Sequence, residues 1–153
     1  MSIIHKIIIS ALSLTFFSRR VVGFSVTNHL RTDLLVHTLD KALEERKPIL
    51  NQLMFHSDQG CQYTDKGFRN KLHDIHIEQS FSLAGTPYDN AVMEAFFSYL
   101  KREQLYVEEI NNFEDLLHHV EYYINFYNNL RPHQTLKYKT PVQVEKEYAD
   151  AYS

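Results

Sequence analysis

The chain has 153 residues, 44% of them hydrophobic and 13% aromatic, which suffices for one sizeable core in a single domain with a tail and excludes a disordered chain. A formal net charge of -3 and an isoelectric point near 6.3 argue against a protein whose whole surface grips a polyanion. One cysteine, Cys61, rules out an internal disulfide framework and fits a reducing cytosol.

The apolar run from Ile7 to Phe17 is too short to span a membrane. Ser18-Arg19-Arg20 puts positive charge on its trailing side, which opposes export, so a buried strand is expected. Arg19 to Val26, with β-branched and aromatic residues around Gly23, reads as the second strand of a hairpin. Thr32 or Asp33 caps a helix through about Glu45 whose apolar face is Leu34, Leu35, Thr38, Leu39 and Leu43. A short strand at Gln52 to Phe55 leads to Asp58. A helix after Thr64 carries Phe68, Leu72 and Ile75 at helical spacing, strand signal returns from Ile77 to Phe81, and Ser82 to Tyr88 is a loop. From Asn90 to Gln104 the residues Met93, Phe96, Phe97 and Leu100 form one core-facing stripe. Glu94, Ser98 and Lys101 share the neighbouring arc at i, i+4 and i+7. Asn112 caps a long helix with Phe113, Leu116, Leu117, Val120, Ile124 and Tyr127 on its apolar side, ended by Pro132. Thr140-Pro141 opens a last short helix over Val142 to Tyr148.

Two carboxylates that converge from distant parts of a chain hold hard divalent cations, and Asp58 and Glu94 stand out for this: one follows a short strand, the other edges a buried helical seam. Both have plainer readings, Asp58 as a turn residue ahead of Gly60 and Glu94 with Lys101 as solvated charges. Nine histidines include the pairs His73/His76 and His118-His119, without the third-ligand pattern of a zinc site.

The ordered motifs HSDQG (56–60) with Tyr63-Thr64 and Phe68, GTPYDNA (85–91), Glu94 with FFSYLK (96–101), FYN (126–128), RPH (131–133) and Thr140-Pro141 resemble the catalytic core of insertion-sequence transposases of the OrfB type, relatives of retroviral integrases. The resemblance runs from about Phe17 to Glu145. It implies an α/β, ribonuclease-H-like mixed sheet flanked by helices, with a truncated catalytic core at 1–130 and a tail at 131–153 packed on it. It implies metal-dependent DNA strand transfer, with Asp58 and Glu94 as catalytic metal ligands for Mg2+ or Mn2+, two ions in the intact family. Lys101, Arg131 and His133 are the implied DNA contacts, Arg131 and His133 against the alternative of a packed helix end. The implied partners are insertion-sequence ends and target DNA, with full-length transposase or a homo-oligomer, in the cytoplasm and away from membranes.

In the family a further aspartate lies on an opening strand before the SRRVVG segment (18–23). This chain has no Asp or Glu before Asp33, and Asp33 suits a helix start. The reading is therefore of a core lacking its first strand and keeping two of three acids, with little strand-transfer activity alone. The alternative is a non-catalytic regulatory subunit that binds transposase or DNA. The stretch from Tyr122 to Val144, free of acids and holding Arg131, Lys137 and Lys139, is the expected basic surface.

Overall fold

The computed structural model describes residues 8–14, 17–27, 32–47, 53–57, 59–82 and 91–152. They fall into two compact units. One takes its described residues from 8–13 and 22–94, the other from 14–21 and 95–152.

In the first unit the apolar segments predicted as hairpin strands become β1 (Ile8–Leu14) and β2 (Val21–Thr27), paired in a two-stranded sheet. Helix α1 (Thr32–Arg46) lies close on β2. Gly23 makes this approach possible, because a Cβ there would stand 2.9 Å from the Thr38 carbonyl oxygen and 3.1 Å from the Ala42 Cβ, inside contact range. The Ser25 and Thr38 hydroxyls bond to each other across the seam, and the Thr38 hydroxyl also donates to the Leu34 carbonyl at 2.8 Å, so two buried polar side chains are satisfied. Of the expected face of α1, Leu35, Thr38 and Leu39 are buried, joined by Ala42; Leu34 and Leu43 lie at its margins.

Strands β3 (Met54–Ser57) and β4 (Glu78–Phe81) run parallel, with Met54 opposite Glu78 and Ser57 opposite Phe81. Parallel neighbours need a crossover, which α2 (Cys61–Thr64) and α3 (Lys66–Asp74) supply. The crossover is held by its apolar side. Phe68 and Leu72 of α3 form a core with Leu35, Leu39 and Ile77, and the Phe68 ring meets Phe55 edge-on at 5.2 Å. Asp65, directly after the expected Thr64, is the residue that starts α3: its carboxylate accepts from the Gly67 and Phe68 amides at 2.8 and 3.2 Å. Asp65→Ala is expected to lower the stability of this unit by about 1 kcal/mol, measured by urea denaturation. Where the sequence reading expects one mixed sheet, the described residues form two two-stranded sheets.

The second unit is helical. α4 (Ala91–Leu100) runs into a π-turn (Lys101–Leu105), followed by α5 (Phe113–Asn129), a 3-10 turn (Gln134–Leu136) and α6 (Pro141–Tyr152). The expected continuous helix to Gln104 thus widens into a π-turn after Leu100. Its stripe divides as well: Phe96 and Leu100 are fully buried, whereas Met93 and Phe97 lie half-buried beside them. Residues at i and i+4 face squarely inward, and those at the edges of a stripe flank the core. Phe96 packs edge-on to Tyr127, ring centres 4.9 Å apart, and beside Tyr123 at 6.1 Å. Leu116, Val120 and Tyr123 of α5 complete this core.

The starts of α5 and α6 are chemically marked. The Asn112 side chain accepts from the Asp115 amide at 2.8 Å. Thr140 and Gln143 form a reciprocal capping box, the Thr140 hydroxyl accepting from the Gln143 backbone amide at 3.2 Å and the Gln143 side-chain Oε1 accepting from the Thr140 backbone amide at 2.9 Å. That box explains why α6 begins at Pro141; the helix runs to Tyr152, beyond the expected Tyr148. The Asn128 side chain binds both backbone groups of Val21, accepting from its amide at 3.0 Å and donating to its carbonyl at 2.9 Å. Ser18 and Arg20 donate to Glu145 of α6 at 2.6 and 3.0 Å.

Candidate functional site

The carboxyl ends of parallel strands are where open α/β sheets gather functional groups. At the ends of β3 and β4 the His56 ring joins the two strands, with Nδ1 3.1 Å from the Ser80 hydroxyl and Nε2 3.0 Å from the Ser82 hydroxyl. The Ser82 amide donates to the Ser57 carbonyl at 2.8 Å, and the Gln59 side chain donates to the Ser82 carbonyl at 3.4 Å. A neutral imidazole carries one N–H and one lone pair, and hydroxyls accept either role, so both contacts are satisfied together. His56 opens the HSDQG motif, but the sequence reading gave it no role of its own. Its partners became visible only with the parallel register, in which His56 stands opposite Ser80.

Asp58 comes next after Ser57 in the chain and lies outside the described residues, as does the GTPYDN segment (85–90). Glu94 sits in the first turn of α4 with its side chain exposed, where a carboxylate also complements the helix dipole. Lys101 opens the π-turn and is exposed, followed by the exposed Arg102. Cys61 is exposed at the start of α2.

Arg131 and His133 are engaged within the protein. The Arg131 guanidinium grips Glu103 of the π-turn in a two-point fork, Nε to Oε2 at 2.8 Å and Nη2 to Oε1 at 2.7 Å. It lies 4.2 Å over the Tyr99 ring, a cation-π contact. The Tyr123 hydroxyl donates to the same carboxylate at 2.7 Å. The Arg131 fork holds Glu103 below the ordinary carboxylate range, against the opposing pull of burial, and in turn raises the guanidinium. Burial, then the bond to Glu103, pushes the Tyr123 phenol up. Burial also raises Tyr127, to about 12.

His133 is only 4% exposed. Its ring meets Tyr127 edge-on at 4.4 Å, and Nε2 donates to the Tyr127 carbonyl at 3.2 Å. Burial depresses this imidazole, which keeps the neutral form. The packed helix end is thus what the described contacts of both residues build.

The expected basic stretch is largely neutralised from elsewhere in the chain. Arg131 is matched by Glu103, and Lys139 pairs with Glu147 of α6. A run free of acids says little about local charge when acids from other elements fold against it.

The fold places the chain among known proteins. It superposes on the catalytic core domain of HTLV-2 integrase, solved in complex with magnesium, with a TM-score of 0.63 and 16% identity over 86% of this chain and 80% of that one. A chain of the simian T-cell lymphotropic virus intasome, solved with a PP2A regulatory subunit, gives 0.70 and 17% over 87% of this chain and 46% of that one. The architecture is that of a retroviral integrase catalytic core, an α/β, ribonuclease-H-like fold. Residues 11–87 match one integrase core domain family and residues 75–141 a second of the same description. The chain belongs to the integrase core domain family.

Among curated relatives, the transposase of insertion sequence IS904 from Lactococcus lactis is 34% identical over 137 residues, 89% of this chain and 54% of that protein. The InsF transposase of IS3A from Escherichia coli is 32% identical over 138 residues, 90% of this chain and 48% of its own length. The chain therefore spans about half the length of the relatives it matches.

Proposed function

We propose that the chain is catalytic-core sequence of an insertion-sequence transposase, whose task is DNA integration by strand transfer. The observation that carries this is the match to the integrase core domain family across residues 11–87 and 75–141, read together with the transposase relatives. Asp58 and Glu94 are the catalytic carboxylates in this reading, and Lys101 contacts a DNA phosphate as a point charge that positions without reading sequence. Arg131 and His133 serve the DNA-facing surface by holding the helix end beneath it.

Asp58 and Glu94 are also the residues that would hold Mg2+ or Mn2+, which in such sites supplies charge stabilisation at the attacking and leaving oxygens. Magnesium in the related HTLV-2 integrase core supports a divalent cation. Among the described residues no group of three His, Cys, Asp or Glu side chains forms a metal site, and a lone exposed carboxylate does not make one.

The partners in this reading are insertion-sequence ends and target DNA, with full-length transposase or further copies of the chain, in the cytoplasm. Among the described residues no helix is long and apolar enough to cross a membrane. Titration with Mn2+ by calorimetry is expected to show weak binding that Asp58→Asn abolishes. Binding unchanged in that variant would remove Asp58 from the site.

A further inference from the structure

The segment after α5 contains an unusual backbone. Lys137 and Tyr138, consecutive residues with full side chains, both take left-handed conformations with φ of 54° and 63°. Residues other than glycine pay about 1 kcal/mol or more each for this region, and two in succession are rarer still.

The turn is nevertheless tightly built. The His133 amide donates to the Lys139 carbonyl at 3.1 Å, and the His133 carbonyl accepts from the Leu136 and Tyr138 amides, both at 2.9 Å. The Lys137 amide donates to Gln134 and that of Lys139 to Leu136, both at 3.1 Å. His133 itself is clamped by Tyr127, as described above. The strain is thus imposed by a rigid frame, and its result is to hold two side chains outward. Tyr138 is 71% exposed and Lys137 is exposed. The flanking Lys139 is paired with Glu147, and no acid lies within the turn.

We propose that this turn is a docking knuckle for an unpaired DNA strand, with the Tyr138 ring stacking on a base and Lys137 pairing with an adjacent phosphate. The proposal rests on the transposase reading for its choice of nucleic acid. The chemistry is that of sequence-tolerant strand binders, an exposed ring for the flat face of any base beside a cation for the backbone. It also gives the Arg-Pro-His motif (131–133) a place in DNA contact without touching DNA: the motif anchors the frame, and the knuckle reaches out.

The test measures fluorescence anisotropy of a labelled single-stranded oligonucleotide and of its blunt duplex against the full chain. Tyr138→Ala is expected to weaken single-strand binding about 10-fold, while Tyr138→Phe, which keeps the ring, retains it. Lys137→Gly separates strain from contact. It is expected to raise Tm by about 2 °C by relieving the left-handed residue, yet to weaken binding and reduce the salt slope by about one. Wild-type binding that both Tyr138→Ala and Lys137→Gly leave intact would overturn the knuckle and leave the transposase reading standing. So would a loss confined to the duplex. Absence of binding by the wild-type chain to either probe would overturn the knuckle, with the Mn2+ titration judging the transposase reading separately.

Discussion

Phe96→Ala is expected to destabilise the helical unit by about 4 kcal/mol, the largest effect of any single substitution considered. The Phe96 side chain is fully buried and is ringed by Phe97, Tyr123 and Tyr127, with ring centres 4.9 to 6.1 Å away. Truncation removes the transfer free energy of a whole ring and leaves a void that its neighbours cannot fill. The Tyr123 hydroxyl is tied to Glu103 and the Tyr127 ring is packed edge-on against His133, so neither is free to move in. Phe96→Leu, which fills part of the volume, should recover about half of the loss. Urea denaturation followed by tyrosine fluorescence and circular dichroism measures both. A loss below about 1 kcal/mol for the alanine variant would mean that the void collapses and that this aromatic cluster is not rigid.

Glu103→Ala is expected to cost about 3 kcal/mol, because it strands two partners at once. The Arg131 and Glu103 side chains are 17% and 30% exposed, so water reaches each only in part. Removing the carboxylate leaves a guanidinium against Tyr99 and a buried Tyr123 hydroxyl with no acceptor from Glu103. Glu103→Gln keeps an acceptor but loses the charge, and should cost less. The pair also fixes a pH dependence. Folding lowers the pKa of Glu103 from its ordinary 4.5, so the folded state binds a proton less readily than the unfolded chain does. The stabilisation from this group is complete above about 4.5 and is lost as pH falls through the lower folded value. Wild type should therefore lose more stability than Glu103→Gln over that acid interval. Parallel acid profiles of the two proteins would sink the assignment.

Much of the fold could be read from the residues because it rests on local chemistry. The stripe of α5 and its Asn112 cap are set by spacing and by one side chain near a helix start; the cap forms and Leu116, Val120, Ile124 and Tyr127 are buried, whereas Phe113 in the first turn is exposed. Gly23 drew notice as a glycine inside a strand, and the close approach of α1 accounts for it. The Thr140 to Gln143 box was equally legible and would have set the start of α6 at Pro141. The π-turn was not legible, since Lys101 to Leu105 has good helix formers throughout. Nor was the Glu103–Arg131 fork, whose members stand 28 positions apart and carry no periodic mark. Tyr123 stood outside the expected stripe of α5, yet its ring is core and only its hydroxyl needs a partner. As for the candidate site, its acids stood out through motif resemblance and residue type. The hydrogen bonds of His56 depend on which residue of β4 lies opposite it, and only the folded register decides that.

That register carries a consequence of its own. A pair of four-residue parallel strands with half-exposed faces has little in its apolar pattern to stop it sliding. A shift by one position would present Gln79 and Phe81 to the imidazole in place of Ser80 and Ser82, and the phenyl ring offers nothing to bond. The ring of His56 thus works as a ratchet pawl, selecting a single alignment of the two strands. In doing so it fixes where β3 ends, at Ser57 opposite Phe81.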